Sequence, residues 1–165
     1  MSSYLNVYYH DQEHDSYISL GSFSRSAEVY RLFNENGHTG IKHKIAPITI
    51  NEIQDIIGSA QLDIDYNKKA IANIKAKTQT ILGLANHTIQ EKMEAVAENE
   101  ESIPEYEESI DDLNYAYDYL VFLEDLIQHN NYAYKTKDGS TFKPDKDKLI
   151  YCGIDCDSPI DYHWD

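Results

Sequence analysis

The stretch TINEIQDIIGSAQLDIDYNKKAIANIKAKTQTILGLA, residues 49–85, decides the fold. Thr49-Ile-Asn-Glu52 is a capping box: the threonine oxygen accepts from an early backbone N–H, and the glutamate reaches back to the Thr49 N–H. Behind it runs a seam at Ile50, Ile53, Ile57, Ala60, Ile64, Asn67, Ile71, Ile74, Thr78, Ile81 and Ala85. Steps of three and four keep such a seam facing one partner. Asn67 and Thr78 interrupt it. A buried Asn sets register at a cost in stability, whereas an Asn at a local offset faces water, and both readings of Asn67 stand.

Working outward, Gly83 and Asn86 interrupt the helix, and Thr88-Ile-Gln-Glu91 is a second capping box opening a short continuation through Ile89, Met93 and Val96 to about Glu98. Asn99–Ser102 is the turn. Pro104 stands in the first turn of the next helix, where its missing N–H costs nothing. The returning helix spans about Ile103 to His129, with Tyr106, Ile110, Leu113, Tyr117, Leu120, Val121 and Ile127 on one arc roughly 120° wide. A turn near residue 101 would bring Lys92 beside Asp111 and Asp112, and Lys77 beside Asp125.

The flanks carry strand signals. Tyr4-Leu-Asn-Val-Tyr-Tyr9 and Tyr17-Ile-Ser-Leu20 are rich in strand formers, with His10–Ser16 as hairpin tip and Gly21 as the end of the second strand. Ser22 or Ser24 would cap a short helix that runs to about Asn36 and stops at Gly37. A short strand fits within Lys42–Ile48. Tyr132–Thr136 and Lys148–Cys152 read as strands, with the Asp138-Gly139 turn between them. The expected fold is α+β: a long antiparallel, coiled-coil-like helical hairpin (49–130) on a small β-rich base formed by both termini (1–48 and 131–165), together one composite domain.

The opening Tyr4–Tyr9, followed by Tyr17-Ile-Ser-Leu-Gly-Ser-Phe-Ser-Arg-Ser26, resembles that of small uncharacterised proteins from phages and prophages of low-GC Gram-positive bacteria. The match covers about the first 30 residues and carries no catalytic motif. It implies an accessory phage product, one acting against a host defence system among them.

The net charge of −15 is unevenly placed. Between Glu91 and Asp125 stand thirteen acidic residues and one basic one, Lys92. Phosphate repulsion argues against direct nucleic-acid binding and in favour of a basic protein partner, such as a nucleic-acid-binding host protein. No apolar run is long enough for a membrane span, the opening Met-Ser-Ser-Tyr-Leu has neither the basic region nor the apolar run of a signal peptide, and two cysteines without a secretion signal suit a reducing compartment, so a cytoplasmic location is expected.

On the returning helix Glu107, Asp111, Asp118 and Asp125 form an acidic stripe, flanked by Glu108, Asp112, Tyr115 and Tyr119. The stripe reads either as a solvating face or as a binding face. Eight acidic residues between Glu105 and Asp125 cover a helix roughly 30 Å long, about one charge per 4 Å. Duplex DNA carries about one per 1.7 Å and a single strand about one per 3.4 Å, so the stripe matches one strand and mimics DNA only in part. The tyrosines suit an Arg-rich groove.

Catalytic signatures are weak. His10-Asp-Gln-Glu-His14 has the spacing of an inverted zinc-peptidase motif, but its flanks alternate as strands where that chemistry needs a helix. Cys152, Cys156 and His163 are candidate zinc ligands, although C-x3-C is not a usual knuckle spacing and two free thiols are the simpler reading. No phosphate loop and no nucleophile elbow is present. The expected function is therefore non-catalytic and needs no cofactor: an acidic protein-binding inhibitor or accessory factor. A structural protein self-associating through the Ile seam, as a homodimer or larger, is the alternative, and a metal-dependent enzyme the third reading.

Overall fold

The computed structural model describes residues 4–11, 16–39, 46–128, 134–135, 141–142 and 150–155 of the 165-residue chain. Among them run β1 (Tyr4–Asp11), β2 (Ser16–Ser24), α1 (Glu28–Glu35), β3 (Ala46–Ile48), α2 (Ile50–Leu82), α3 (Ile89–Asn99), α4 (Ile103–Gln128), β4 (Tyr134–Lys135), β5 (Thr141–Phe142) and β6 (Ile150–Asp155). The class is α+β, with long helices and small antiparallel sheets. No helix of the described residues is long and apolar enough to cross a membrane. The chain divides into two compact units, residues 1–59 with 116–165, and residues 60–115. The division falls inside α2 and α4 rather than at residues 48/49 and 130/131, because the first part of α2 and the last part of α4 belong to the core of the β-containing unit.

In the first unit both ends of the chain build one sheet, in the order β2-β1-β6-β3. Every pairing is antiparallel, with Val7 opposite Cys152 and Ala46 opposite Cys152. β6 thus enters between β1 and β3 instead of pairing with the strand near Tyr132. That strand, β4, pairs with β5 across the Asp-Gly segment, Tyr134 opposite Phe142. The expected C-terminal hairpin is therefore the short β4–β5 ribbon, and the second expected strand went to the main sheet, where it gains two partners.

β2 does not stop at Gly21 but continues to Ser24, with a register shift that leaves Leu20 as the bulged residue against Val7 and Tyr8. Ser22 and Ser24 therefore lie in a strand and cannot cap α1. Ala27 holds the cap position and makes no side-chain bond there, while the Ala27 N–H donates to the Ser24 carbonyl at 3.0 Å. The C-terminus of α1 follows the expected glycine stop. Gly37 has φ 82°, its N–H donates to the Asn34 carbonyl, and the His38 N–H donates to the Phe33 carbonyl. This is a Schellman motif, completed by an edge-on contact between the Phe33 and His38 rings.

The core of this unit holds Leu5, Val7, Tyr8 and Tyr9 of β1, Val29, Leu32 and Phe33 of α1, Ile48 of β3, Ile53 and Ile56 of α2, and Ala116, Leu120, Leu123, Leu126 and Ile127 of α4. On α4 this corrects the expected arc: Tyr117 and Val121 are only half-buried, whereas Ala116, Leu123 and Leu126 are buried. The last part of α4 is covered over a wider arc than a two-helix seam requires. Asn6 is 1% exposed, and among the described residues neither atom of its amide finds a partner.

The capping box of α2 forms in both directions: the Glu52 N–H donates to Thr49 Oγ1 and the Thr49 N–H donates to Glu52 Oε1, each at 3.2 Å. Asn36 and His38 join α1 to this first part of α2. The Asn36 amide bonds Ser59 Oγ at 3.3 Å, and His38 Nδ1 stands 3.5 Å from Glu52 Oε2.

The second unit is entirely helical: α2 from residue 60, α3, and α4 to residue 115. Of the expected seam Ala60, Ile64 and Thr78 are buried, Asn67, Ile71, Ile74 and Ile81 are half-buried, and Ala85 lies exposed beyond the helix end. Asn67 donates to the Asp63 carbonyl of its own helix at 2.8 Å, so it satisfies itself locally and sets no register. α2 ends at Leu82, and Asn86, with φ 64°, turns the chain. Thr88 caps α3 by accepting from the Glu91 N–H at 3.1 Å, while the Glu91 carboxylate goes to His87 instead of closing the box.

α3 then runs back along the end of α2. The Asn99 amide donates to the Ile74 carbonyl and to Thr78 Oγ1, at 2.9 and 3.1 Å, and Lys92 Nζ donates to the Leu82 carbonyl at 3.1 Å. The return of the distal part of α2 is thus made by α3. Lys92, expected beside Asp111 and Asp112, thus has its ammonium on the Leu82 carbonyl, and Lys77 and Asp125 fall in different units.

Candidate functional site

The acidic positions on α4 fall in both units, and each group has its own surroundings. In the helical unit, Glu107, Glu108, Asp111 and Asp112 are all exposed, and Tyr115 is 70% exposed. At 100° per residue, Glu107, Asp111, Tyr115, Glu108 and Asp112 follow one another around roughly 140° of the helix, with the tyrosine in the middle. The opposite side carries Leu113, which is buried, and Tyr106 and Ile110, which are half-buried. Amphipathic patterning therefore orients this face: burying the apolar arc turns the carboxylates and Tyr115 outward. Glu105 adds an exposed carboxylate in the first helical turn, where the helix dipole favours it.

In the β-containing unit the remaining positions part company. Asp118 is exposed. Asp125 is half-buried and already has an interaction partner. Tyr119 does not flank the carboxylates as a free ring. Its hydroxyl donates to the Leu20 carbonyl at 3.1 Å, and its ring meets Phe23 edge-on at 4.7 Å. The bulge at Leu20 and the absence of a side chain at Gly21 admit it, since a Cβ at Gly21 would lie 2.7 Å from the Tyr119 hydroxyl. Tyr119 thus acts as a bolt between helix and sheet, and of the two candidate tyrosines only Tyr115 is presented.

The candidate metal ligands are not brought together among the described residues. Cys152 lies on β6, whereas Cys156 and His163 fall outside the described residues. His10 and Asp11 end β1, so the first histidine of the His10–His14 motif is on a strand, and Glu13 and His14 lie outside the described residues. No group of His, Cys, Asp or Glu among the described residues is arranged to hold a metal ion.

Sequence reasoning missed Asn99 and the exposure of Leu82, Leu84, Ile89 and Met93. Asn99 sits in a short polar turn that reads as a connector, and only the course of α3 reveals that its amide joins two helices. No protein-family model, curated protein or solved structure matches this chain.

Proposed function

We propose that the chain is a non-catalytic binding protein whose acidic, tyrosine-bearing face on α4 engages a basic protein, acting in the cytoplasm as an inhibitor or accessory factor. The observation that carries this reading is Tyr115: a large ring, 70% exposed, among four exposed carboxylates on one helical face. An aromatic side chain gains nothing by standing in water, and tyrosine with carboxylates is the chemistry that receives arginine, by hydrogen bonds and by stacking. The charge spacing suits a groove that otherwise takes a single nucleic-acid strand. A host nucleic-acid-binding protein is therefore the favoured partner, and the resemblance of the first residues to phage accessory proteins points the same way.

Affinity capture from a bacterial lysate, at low and moderate salt, tests this with wild type beside the Glu107→Lys/Asp111→Lys and Tyr115→Ala variants. A partner held by wild type, lost in both variants and weakened by salt is the expected result. A partner held equally by all three chains would remove the binding site from this face.

A further inference from the structure

The side of α2 turned away from its seam holds two large apolar side chains in water, Leu62 at 71% and Tyr66 at 70% exposure. With Leu62 as origin and 100° per residue, the buried Ile53, Ile56, Ala60, Ile64 and Thr78 all stand roughly 120° or more away. Asn51, Asp55, Gly58, Tyr66, Lys69 and Asn73 stand within roughly 40° of Leu62, and every one is exposed. All lie on one continuous helix, Ile50–Leu82, so helical geometry alone sets this strip. Gly58 is its odd member. A glycine inside a helix costs stability relative to alanine, yet a Cβ at Gly58 would meet nothing within 4 Å. Among the described residues nothing needs that gap.

The order along the strip says what covers it. Counting outward from Leu62, Gly58 matches Tyr66, Asp55 matches Lys69, and Asn51 matches Asn73. A two-fold axis beside Leu62 sets two copies of α2 antiparallel and brings each of these pairs level twice, at about 6, 10 and 16 Å from the axis. Leucine meets leucine, carboxylate meets ammonium, and amide meets amide. Tyr66 enters the hole framed by Asp55, Gly58, Ser59 and Leu62 of the second copy, the four-residue frame of knobs-into-holes packing. Gly58 leaves the floor of that hole open for the ring. Asp65, at the edge of the strip roughly 60° from Leu62, comes level with Ser59 and meets no carboxylate in this register. The strip is thus complementary to itself in shape and in charge, as an isologous interface requires.

We infer that this outer strip of α2 is a homodimer interface, on which α2 of a second copy packs antiparallel with Leu62 at the two-fold axis. It is distinct from the face around Tyr115 and does not depend on it. It is also the opposite side of α2 from the Ile seam, where Ala60 and Ile64 are already buried within the chain.

Sedimentation or light scattering of the full chain, over a range of concentration and salt, tests the interface. Wild type is expected to form a dimer of the 19.0 kDa chain that weakens as salt rises. Gly58→Leu fills the hole while placing a better helix former in open space, so far-UV circular dichroism and thermal stability of the monomer should be kept or raised while the dimer weakens by at least about tenfold. Asp55→Lys and Lys69→Asp should each weaken the dimer alone. Mixed, the two variants should form a heterodimer, since each lysine then faces an aspartate at both ends of the strip. A wild-type chain monomeric at all concentrations in low salt, a dimer indifferent to Gly58→Leu, or charge variants that fail to rescue one another would each overturn the inference.

Discussion

At Gly21 three residues share one space. The Leu20 bulge, the missing side chain at Gly21 and the Tyr119 hydroxyl are a single device, because the hydroxyl reaches the Leu20 carbonyl only by passing over the glycine. Gly21→Ala forces the hydroxyl and the Phe23 ring to move, and should cost about 1–3 kcal/mol. Tyr119→Phe should cost about 1 kcal/mol through the lost hydrogen bond. Because the same bond is lost in both, the double variant should be less destabilised than the sum, by roughly 0.5 kcal/mol or more, in a denaturant-melt cycle. Strict additivity would mean that the alanine is accommodated without displacing the hydroxyl. Asn6 is the opposite case: a buried amide without partners costs about 1–3 kcal/mol, and the described structure offers it no return.

Among the elements, α3 stands out because it has no fully buried side chain. It meets α2 through the Asn99 amide and Lys92 on the Leu82 carbonyl, with Ala95 and Val96 half-buried beside them, while Thr88 caps its start. Asn99→Ala removes two hydrogen bonds, to Ile74 and to Thr78, and leaves the buried Thr78 hydroxyl without that donor. Hydrogen exchange of the amides across residues 90–98 should then accelerate by about tenfold or more, since losing bonds worth about 1 kcal/mol each lowers the local opening free energy by that sum. Amides of β1 and β6 should keep their wild-type rates. Equal acceleration in the sheet would show that α3 opens only when the whole molecule does. The two capping boxes make a related contrast. Thr49 and Glu52 close theirs fully, whereas Glu91 turns to His87, so the exposed start of α3 has one bond where α2 has two.

For the whole molecule, the sheet order makes folding depend on sequence-distant contacts. β6 lies between β1 and β3, so residues 150–155 complete a layer begun by residues 4–11. Ending the chain after residue 149 would leave β1 as an edge and β3 without its partner. Such a truncation should lose cooperative thermal unfolding of the β-containing unit, because a strand with two pairings cannot be removed without exposing both neighbours. A sharp melt at the wild-type temperature would show instead that β6 is dispensable. The long-range closure also predicts slow folding relative to a helical bundle of this length.

The sequence by itself determined what local chemistry governs. The Thr49–Glu52 box, the Ile steps of α2, the Gly37 stop, the break near Gly83–Asn86 and the turn at residue 101 are each set by a few neighbouring side chains, and all are present. The outward acidic face of α4 was legible for the same reason, since helical periodicity converts spacing into direction. Tertiary structure decided everything that depended on a distant neighbour. It sent β6 to β1 and β3 rather than to the strand near Tyr132, because the main sheet offers two partners where a hairpin offers one. It carried β2 past Gly21, because Ser22–Ser24 go on pairing with Tyr4–Asn6 of β1 beyond the bulge. It widened the buried arc of α4 to Ala116, Leu123 and Leu126, because sheet and helices together cover more of a helix than one seam does. Finally, it laid α3 along the end of α2 through the Asn99 and Lys92 bonds, with Ala95 and Val96 half-buried and Ile89 and Met93 exposed.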